Sequence, residues 1–281
     1  MSPASALVML HAAVALFGFA ALFGKWLPLS PTEIVLGRTL IGAACLALVA
    51  MVRERRLRSP DVGLAINGVL LAIHWVSFFV AVQVASVAIG LLGYASFPAF
   101  VMLLEHRAAD GRHRRIEWIT VVLVTCGLLL MVPRFSWSER AVHGLTWGVV
   151  SGFTFAWLAV RNRRRLAHRS ASDLAMWQNA FAALGLIVLF IARPRPIAMP
   201  TAHDIGLLIV LGAVCTALSH TMFIASMKRL STHVASVVAG LEPVYGIALA
   251  ALLLHEIPDA RTLAGGALIV AATIVASRAS A

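Results

Sequence analysis

Apolar blocks of about 20 residues, long enough to cross a bilayer's hydrocarbon core as helices, alternate with short polar breaks along the chain. Read block by block, the pattern predicts ten helices, at approximately 6–24, 32–52, 62–82, 84–104, 118–132, 145–160, 174–192, 205–226, 232–254 and 261–277. Two of these blocks are interrupted. VVAGLEPVYGIALAALLL (237–254) places Glu242 mid-span with Pro243 directly after it, and GYASFPAFVMLL (93–104) carries Pro98. A carboxylate at the centre of a membrane helix costs about 2.5–3.5 kcal/mol. Proline removes a backbone donor and obstructs the preceding turn. Irregular backbone at that depth is tolerated where it is buried in protein or lines a cavity. Pro98 and Pro243 are therefore expected to be hinges beside one.

The interrupted blocks belong to a weak internal duplication. V-A-S-V occurs at Val84–Val87 and again at Val234–Val237, a proline-broken helix follows each time, and Phe17-Gly18-Phe19 is matched by Ser151-Gly152-Phe153. Two halves follow, 1–133 and 144–281, joined by 134–143. Each holds five predicted spans, an odd number, so the second half must enter the membrane from the opposite side. Such inverted repeats place substrate near the midplane at their interface.

Composition agrees with burial in lipid. The chain of 281 residues is 60% hydrophobic and 12% charged, too apolar to cover a soluble exterior. Its net charge of +11 raises the question of nucleic acid, but the arginines bunch in short breaks. They stand at 53, 55, 56 and 58, at 107, 112, 114 and 115, and at 161, 163, 164, 165 and 169. Positive charge in short loops marks the cytoplasmic side. With both termini inside, sixteen Lys and Arg are cytoplasmic, against five on the other side: Lys25, Arg134, Arg140, Arg193 and Arg195. The first block, Leu7–Phe23, runs into Gly24-Lys25-Trp26 without a cleavage site and is read as a retained span. Cys45, Cys126 and Cys215 stand singly in apolar runs and are read as packing residues, so no redox motif or metal site is expected. His106, Asp110 and His113 are a remote alternative for a metal.

The broken helices GLLGYASFPAFVMLLE and AGLEPVYGIALAALLLHE, the third span AIHWVSFFVAVQVASVAIG and the arginine of LGRTL together resemble the drug/metabolite transporter superfamily. The resemblance is to its ten-helix EamA-type branch, which includes YddG-type exporters of aromatic amino acids, and covers nearly the whole chain. It implies a central cavity built mainly by helices 1, 3, 4, 6, 8 and 9, with 5 and 10 peripheral. One departure is visible: the loop EHRAADGRHRR lacks the Gly-Glu ending that His255-Glu256 approximates in the second copy.

Depth sorts the candidate chemistry. Trp26, Trp118, Trp137, Trp147 and Trp177 fall at span ends, where aromatic belts anchor helices; Trp75 and Trp157 lie deeper. His74/Phe78 and Trp75/Phe79 form two i, i+4 stripes on the third span. Glu242 is the deep acid, Arg38 lies about 9 Å inside its span, and His11, His74 and His220 complete the intramembrane ionisable set. Tyr94 and Tyr245 supply hydroxyls near the two prolines. The candidate substrate site is thus His74, Trp75, Phe78, Tyr94, Trp157, His220, Glu242 and Tyr245. For each, helix packing is the alternative. Gly144, Gly148 and Gly152, continued by Ala156, make a row that lets another helix approach closely, inside the bundle or in a homodimer.

Taken together, these features predict a multi-pass protein of a bacterial inner membrane, with ten helices in two inverted repeats around a cavity. Its partners are expected to be lipid and a small-molecule substrate, without nucleic acid or cofactor. Export of small metabolites, amino acids foremost, is the leading function. Other small metabolites or drugs, in either direction, are the alternative within the same class. No G-x-x-x-x-G-K-[ST] loop points to direct ATP drive, and neither G-x-S-x-G nor H-E-x-x-H points to an intramembrane enzyme. A structural scaffold leaves the duplicated broken helices unexplained.

Overall fold

Helix signals along the chain are executed with polar caps at the ends of apolar rods. The computed structural model describes residues 2–53, 59–105, 111–131, 139–193 and 199–278, and all regular structure among them is helical. Ser2 caps α1 (Pro3–Trp26), Asp61 caps α3 (Val62–Val84) and Ser170 caps α8 (Ala171–Ala192), each accepting a backbone N–H in the first turn. Between them run α2 (Pro31–Arg53), the broken rod α4 (Val87–Tyr94) and α5 (Phe97–Leu104), α6 (Gly111–Leu130) and α7 (Arg140–Arg165). A Thr201/Asp204 capping box opens α9 (Ala202–Gly212), which passes through a π-helical turn at Ala213–Leu218 into α10 (Ser219–Ser226). The second broken rod is α11 (Thr232–Ala239) and α12 (Glu242–Leu253), and α13 (Ala260–Arg278) closes the chain.

Among the described residues, seven of these rods are long and apolar enough to cross a membrane: 3–26, 31–52, 62–84, 87–104, 171–192, 202–226 and 234–253. Trp118–Leu130 and Ala260–Ala272 are apolar but shorter. The rod α7 falls outside this set because small and polar residues replace apolar bulk along it. Gly144, Gly148, Ser151, Gly152 and Thr154 are all buried, so they face protein, where hydropathy is not required.

The two broken rods share one build. In each, a serine (Ser86 or Ser231) caps an eight-residue helix, two residues interrupt it, and proline stands in the first turn of the next helix. This corrects the V-A-S-V match. Ser86 pairs by position with Ser231, whereas Val234–Val237 lies inside α11, because the start of the rod is set by its capping hydroxyl. The first rod likewise begins at Val87 rather than at 84, since Val84 ends α3.

Packing follows the same exchange. The rod α7 lies along α3 and against α4 and α5, while α1 lies along α10 and against α12 and α11. α4 faces α12 and α5 faces α11, so the two broken rods run in opposite directions. α2 packs on α8, and α6 pairs with α13 away from the centre. The row of Gly144, Gly148 and Gly152 is used internally. Cβ atoms there would meet Ala85, the Gly93 Cα and the Tyr94 carbonyl, so the row seats the first broken rod.

Candidate functional site

The breaks position the site. Ser96 closes the first by donating its hydroxyl to the Gly93 carbonyl at 2.8 Å. Gly152 on α7 comes so near that a Cβ would stand 2.8 Å from the Tyr94 carbonyl oxygen. At the second break Gly18 on α1 plays the same part: a Cβ would stand 2.8 Å from the Gly246 nitrogen and 3.2 Å from the Glu242 carbonyl oxygen. Only glycine admits backbone this close. Pro98 and Pro243 are both buried beside these approaches.

Between the breaks lies a buried cavity, lined by Phe17 and Ala20 from α1, His74, Trp75 and Phe78 from α3, and Tyr94 from α4. Phe155 of α7, His220 of α10 and Glu242 of α12 continue the wall, and Arg38 enters from α2. The lining rods are those the resemblance implies, with α2 as an addition. The volume is ≈ 20 Å³, room for about one water and far below the roughly 300–1,000 Å³ of a typical ligand pocket.

The aromatic wall is interlocked. The His74 ring stacks on Phe155 at 4.5 Å and approaches Tyr94 at 5.6 Å, while Trp75 meets His220 edge-on at 5.7 Å. His74 Nδ1 is 3.0 Å from the Ser151 carbonyl oxygen and 2.8 Å from its hydroxyl. A proton on Nδ1 is donated to that carbonyl, and with the proton on Nε2 the Ser151 hydroxyl donates to Nδ1 instead. Arg38 is 2% exposed and donates Nε to Thr216 Oγ1 at 2.9 Å and Nη2 to the Cys215 carbonyl at 3.2 Å. Its guanidinium lies 4.0 Å over the Trp75 ring, a cation–π contact. The π turn 213–218 carries this cradle, and the Thr216 hydroxyl that accepts from Arg38 is itself fixed by donating to the Leu211 carbonyl at 2.7 Å. Glu242 is 4% exposed, and among the described residues its carboxyl makes no hydrogen bond or ion pair within the chain.

From His220 a chain of buried amides leads to one end of the bundle. His220 Nε2 is 3.1 Å from Gln178 Oε1, Gln178 Nε2 donates to Asn162 Oδ1 at 2.6 Å, and Asn67 Nδ2 donates to the same oxygen at 3.0 Å. Arg161 Nε then donates to Asn67 Oδ1 at 2.6 Å. Beyond it Asp61 receives Arg165 at 2.9 Å and Arg169 at 3.5 Å, and the Arg165 hydrogen bond holds the Asp61 carboxyl below the usual carboxylate range. At the opposite end Arg140 and Lys25 donate to the Val84 and Ala85 carbonyls, and Glu256 accepts from the Val87 N–H at the start of α4.

Six of the eight expected site residues therefore line one cavity: His74, Trp75, Phe78, Tyr94, His220 and Glu242. Tyr245 sits outside the lining, with its hydroxyl 3.5 Å from His11 Nδ1. Trp157 is corrected to the outer surface. It is 43% exposed and lies against Phe153, because two residues past Phe155 is about 200° around a helix. Phe17, Ala20, Arg38 and Phe155 were missing from the expected set. Helical phase from Ser151 and Gly152 marks Phe155, and the Phe17-Gly18 match marks Phe17. Trp137 and the His106/Asp110/His113 set lie outside the residues whose side chains are described. Among the described residues, no three His, Cys, Asp or Glu side chains gather as metal ligands.

A model of the EamA-like transporter family matches the chain twice, over residues 4–132 and 142–278. The pseudopaline exporter CntI of Pseudomonas aeruginosa is 28% identical over 253 residues, covering 89% of this chain and 87% of that protein. Protein RarD of Salmonella typhimurium is 24% identical over 260 residues, with 89% and 86% covered. The inner membrane protein YtfF of Escherichia coli is 22% identical over 267 residues, with 83% and 81% covered. A solved crystal structure superposes with a TM-score of 0.73 at 21% identity, over 99% of this chain and 98% of that one, a likeness of fold.

Proposed function

Because the chain belongs to the EamA-like transporter family, we propose that it exports small amphipathic metabolites, amino acids among them, across a bacterial inner membrane by alternating access. Ten spans form two inverted five-helix units, 1–133 and 144–281, with both termini cytoplasmic. The inversion is supported by the opposed broken rods, α4 on α12 and α5 on α11, and the orientation by the arginine-rich breaks. The amide chain from His220 to Arg161 then closes the cytoplasmic end, and the Glu256 contact with α4 belongs to the other. A relative that is an exporter supports outward transport.

One observation carries this function: a buried cavity between the two breaks, walled by aromatic rings and holding a carboxyl and a guanidinium. Such a wall suits an apolar body with polar ends. At ≈ 20 Å³ the site is contracted, so admission of substrate requires the rods to part around Pro98 and Pro243.

Counterflow of labelled amino acids into proteoliposomes is the test. Exchange of at least one amino acid is expected, and exchange of none removes amino acids from the cargo. His74→Ala is expected to lower the exchange rate by about tenfold or more, the factor for 1.4 kcal/mol, while Trp157→Ala leaves it within twofold. Equal rates in the two variants would assign His74 to packing alone.

A further inference from the structure

We infer that the cavity reads both ends of a zwitterion, with Arg38 as the anchor for an anionic group of the substrate and Glu242 as the acceptor for its ammonium. This rests on the transport function proposed above and deepens it, because it names the groups that select the cargo.

Arg38 is built as an anchor. Thr216 and the Cys215 carbonyl hold Nε and Nη2, and Trp75 lies 4.0 Å beneath the guanidinium. All three are neutral, so the cation is fixed in place without being neutralised. The π turn at 213–218 presents those acceptors and has no counterpart in the other described rods. A guanidinium so fixed loses little freedom when it binds a carboxylate, and its planar fork suits one.

Glu242 is the complement. Its carboxyl lines the same cavity, buried and without a hydrogen bond in the chain among the described residues. Arg38 lines the same cavity, yet no ion pair joins the two. A buried guanidinium without a counter-charge and a buried carboxyl without a hydrogen bond are each short of a partner. A molecule with one anionic and one cationic group supplies both at once. His220 adds to the same wall an Nδ1 that is unpartnered among the described residues, 1% exposed, which is available to a substrate N–H or O–H. The rings of Phe78 and Phe155 leave the apolar body unselected in detail, so the charged ends carry the specificity.

The test uses proteoliposomes and three related series of probes: neutral amino acids, their amides, which lack the carboxylate, and their desamino acids, which lack the ammonium. For phenylalanine these are phenylalaninamide and 3-phenylpropionate. In competition for counterflow, each single-charge analogue is expected to be at least about tenfold weaker than its parent, since a site built around a polar group rejects the compound lacking it. Arg38→Gln is expected to raise the ratio of amide to parent exchange by about tenfold or more. Glu242→Gln should do the same for the desamino acid. Ratios within one preparation do not depend on expression. If a variant fails to fold, the wild-type analogue series still decides. If amides or desamino acids exchange as well as the amino acids, transport stands and dual reading falls. If the parent amino acids do not exchange at all, both the cargo proposed above and this inference fall together.

Discussion

Glu242→Gln is expected to lower transport by about tenfold or more and to flatten its dependence on pH. A hydrogen bond to a charged group contributes about 1.5–3 kcal/mol, and each 1.4 kcal/mol is a factor of ten. The carboxyl is 4% exposed and without a hydrogen-bonding partner in the chain among the described residues. An ionised carboxylate in such a place demands a counter-charge. Two visitors can supply one, a proton or the ammonium of a substrate, and they exclude each other. Their competition couples substrate movement to proton movement in the opposite sense. Glutamine keeps the shape and the hydrogen bonding but cannot ionise, so it isolates this one property. Rates measured in proteoliposomes across a pH series decide the matter. A variant that keeps both the rate and the pH profile makes Glu242 a structural group.

The second large effect is steric. Gly152→Ala is expected to destabilise the protein by about 1–3 kcal/mol, the usual cost of overpacking, and to suppress transport. Its Cβ would stand 2.8 Å from the Tyr94 carbonyl oxygen, 2.7 Å from Ser96 Oγ and 3.3 Å from the Phe97 nitrogen. The Ser96 hydroxyl can rotate away, but the carbonyl and the amide belong to the break itself. The first broken rod must therefore shift on α7, and Tyr94 and His74 shift with it. Gly18→Ala repeats the experiment at the second break, against the Gly246 nitrogen at 2.8 Å. Gly185 on α8 is the control, because among the described residues nothing lies within 4 Å of its would-be Cβ. Alanine there is expected to stay within about 0.5 kcal/mol of the parent. Thermal denaturation in detergent measures all three. Equal behaviour of Gly152→Ala and Gly185→Ala would mean that α7 and the first broken rod are not held in close register.

Much of this arrangement was legible in the sequence because lipid leaves few choices. A long apolar block must be helical, a polar group inside it must face protein, and proline in mid-block must be accommodated at a break. Those constraints found His74, Glu242, Pro98 and Pro243 without knowledge of any contact. They failed where the answer depends on helical phase. Trp157 was selected for its depth and residue type, but the inward face of α7 is set by Gly148, Ser151 and Gly152, which point Phe155 to the cavity. Arg38 was seen as a buried cation but not as part of the site. Its place depends on the π turn 213–218, and nothing in the string AVCTAL announces a hydrogen bond from Thr216 back to Leu211. The V-A-S-V match misled for a related reason. The second V-A-S-V falls inside α11, while the residues that hold the same place in the two broken rods are the capping serines Ser86 and Ser231.

Ala20 offers the most direct measurement, since it lines the cavity and is 4% exposed. With Cys45, Cys126 and Cys215 replaced, an Ala20→Cys variant can be exposed to a membrane-impermeant maleimide in right-side-out and in inverted vesicles. Alternating access through this cavity predicts labelling from both sides, slowed from both by a transported amino acid. Labelling from one side only, or from neither, in a variant that still performs counterflow would contradict it.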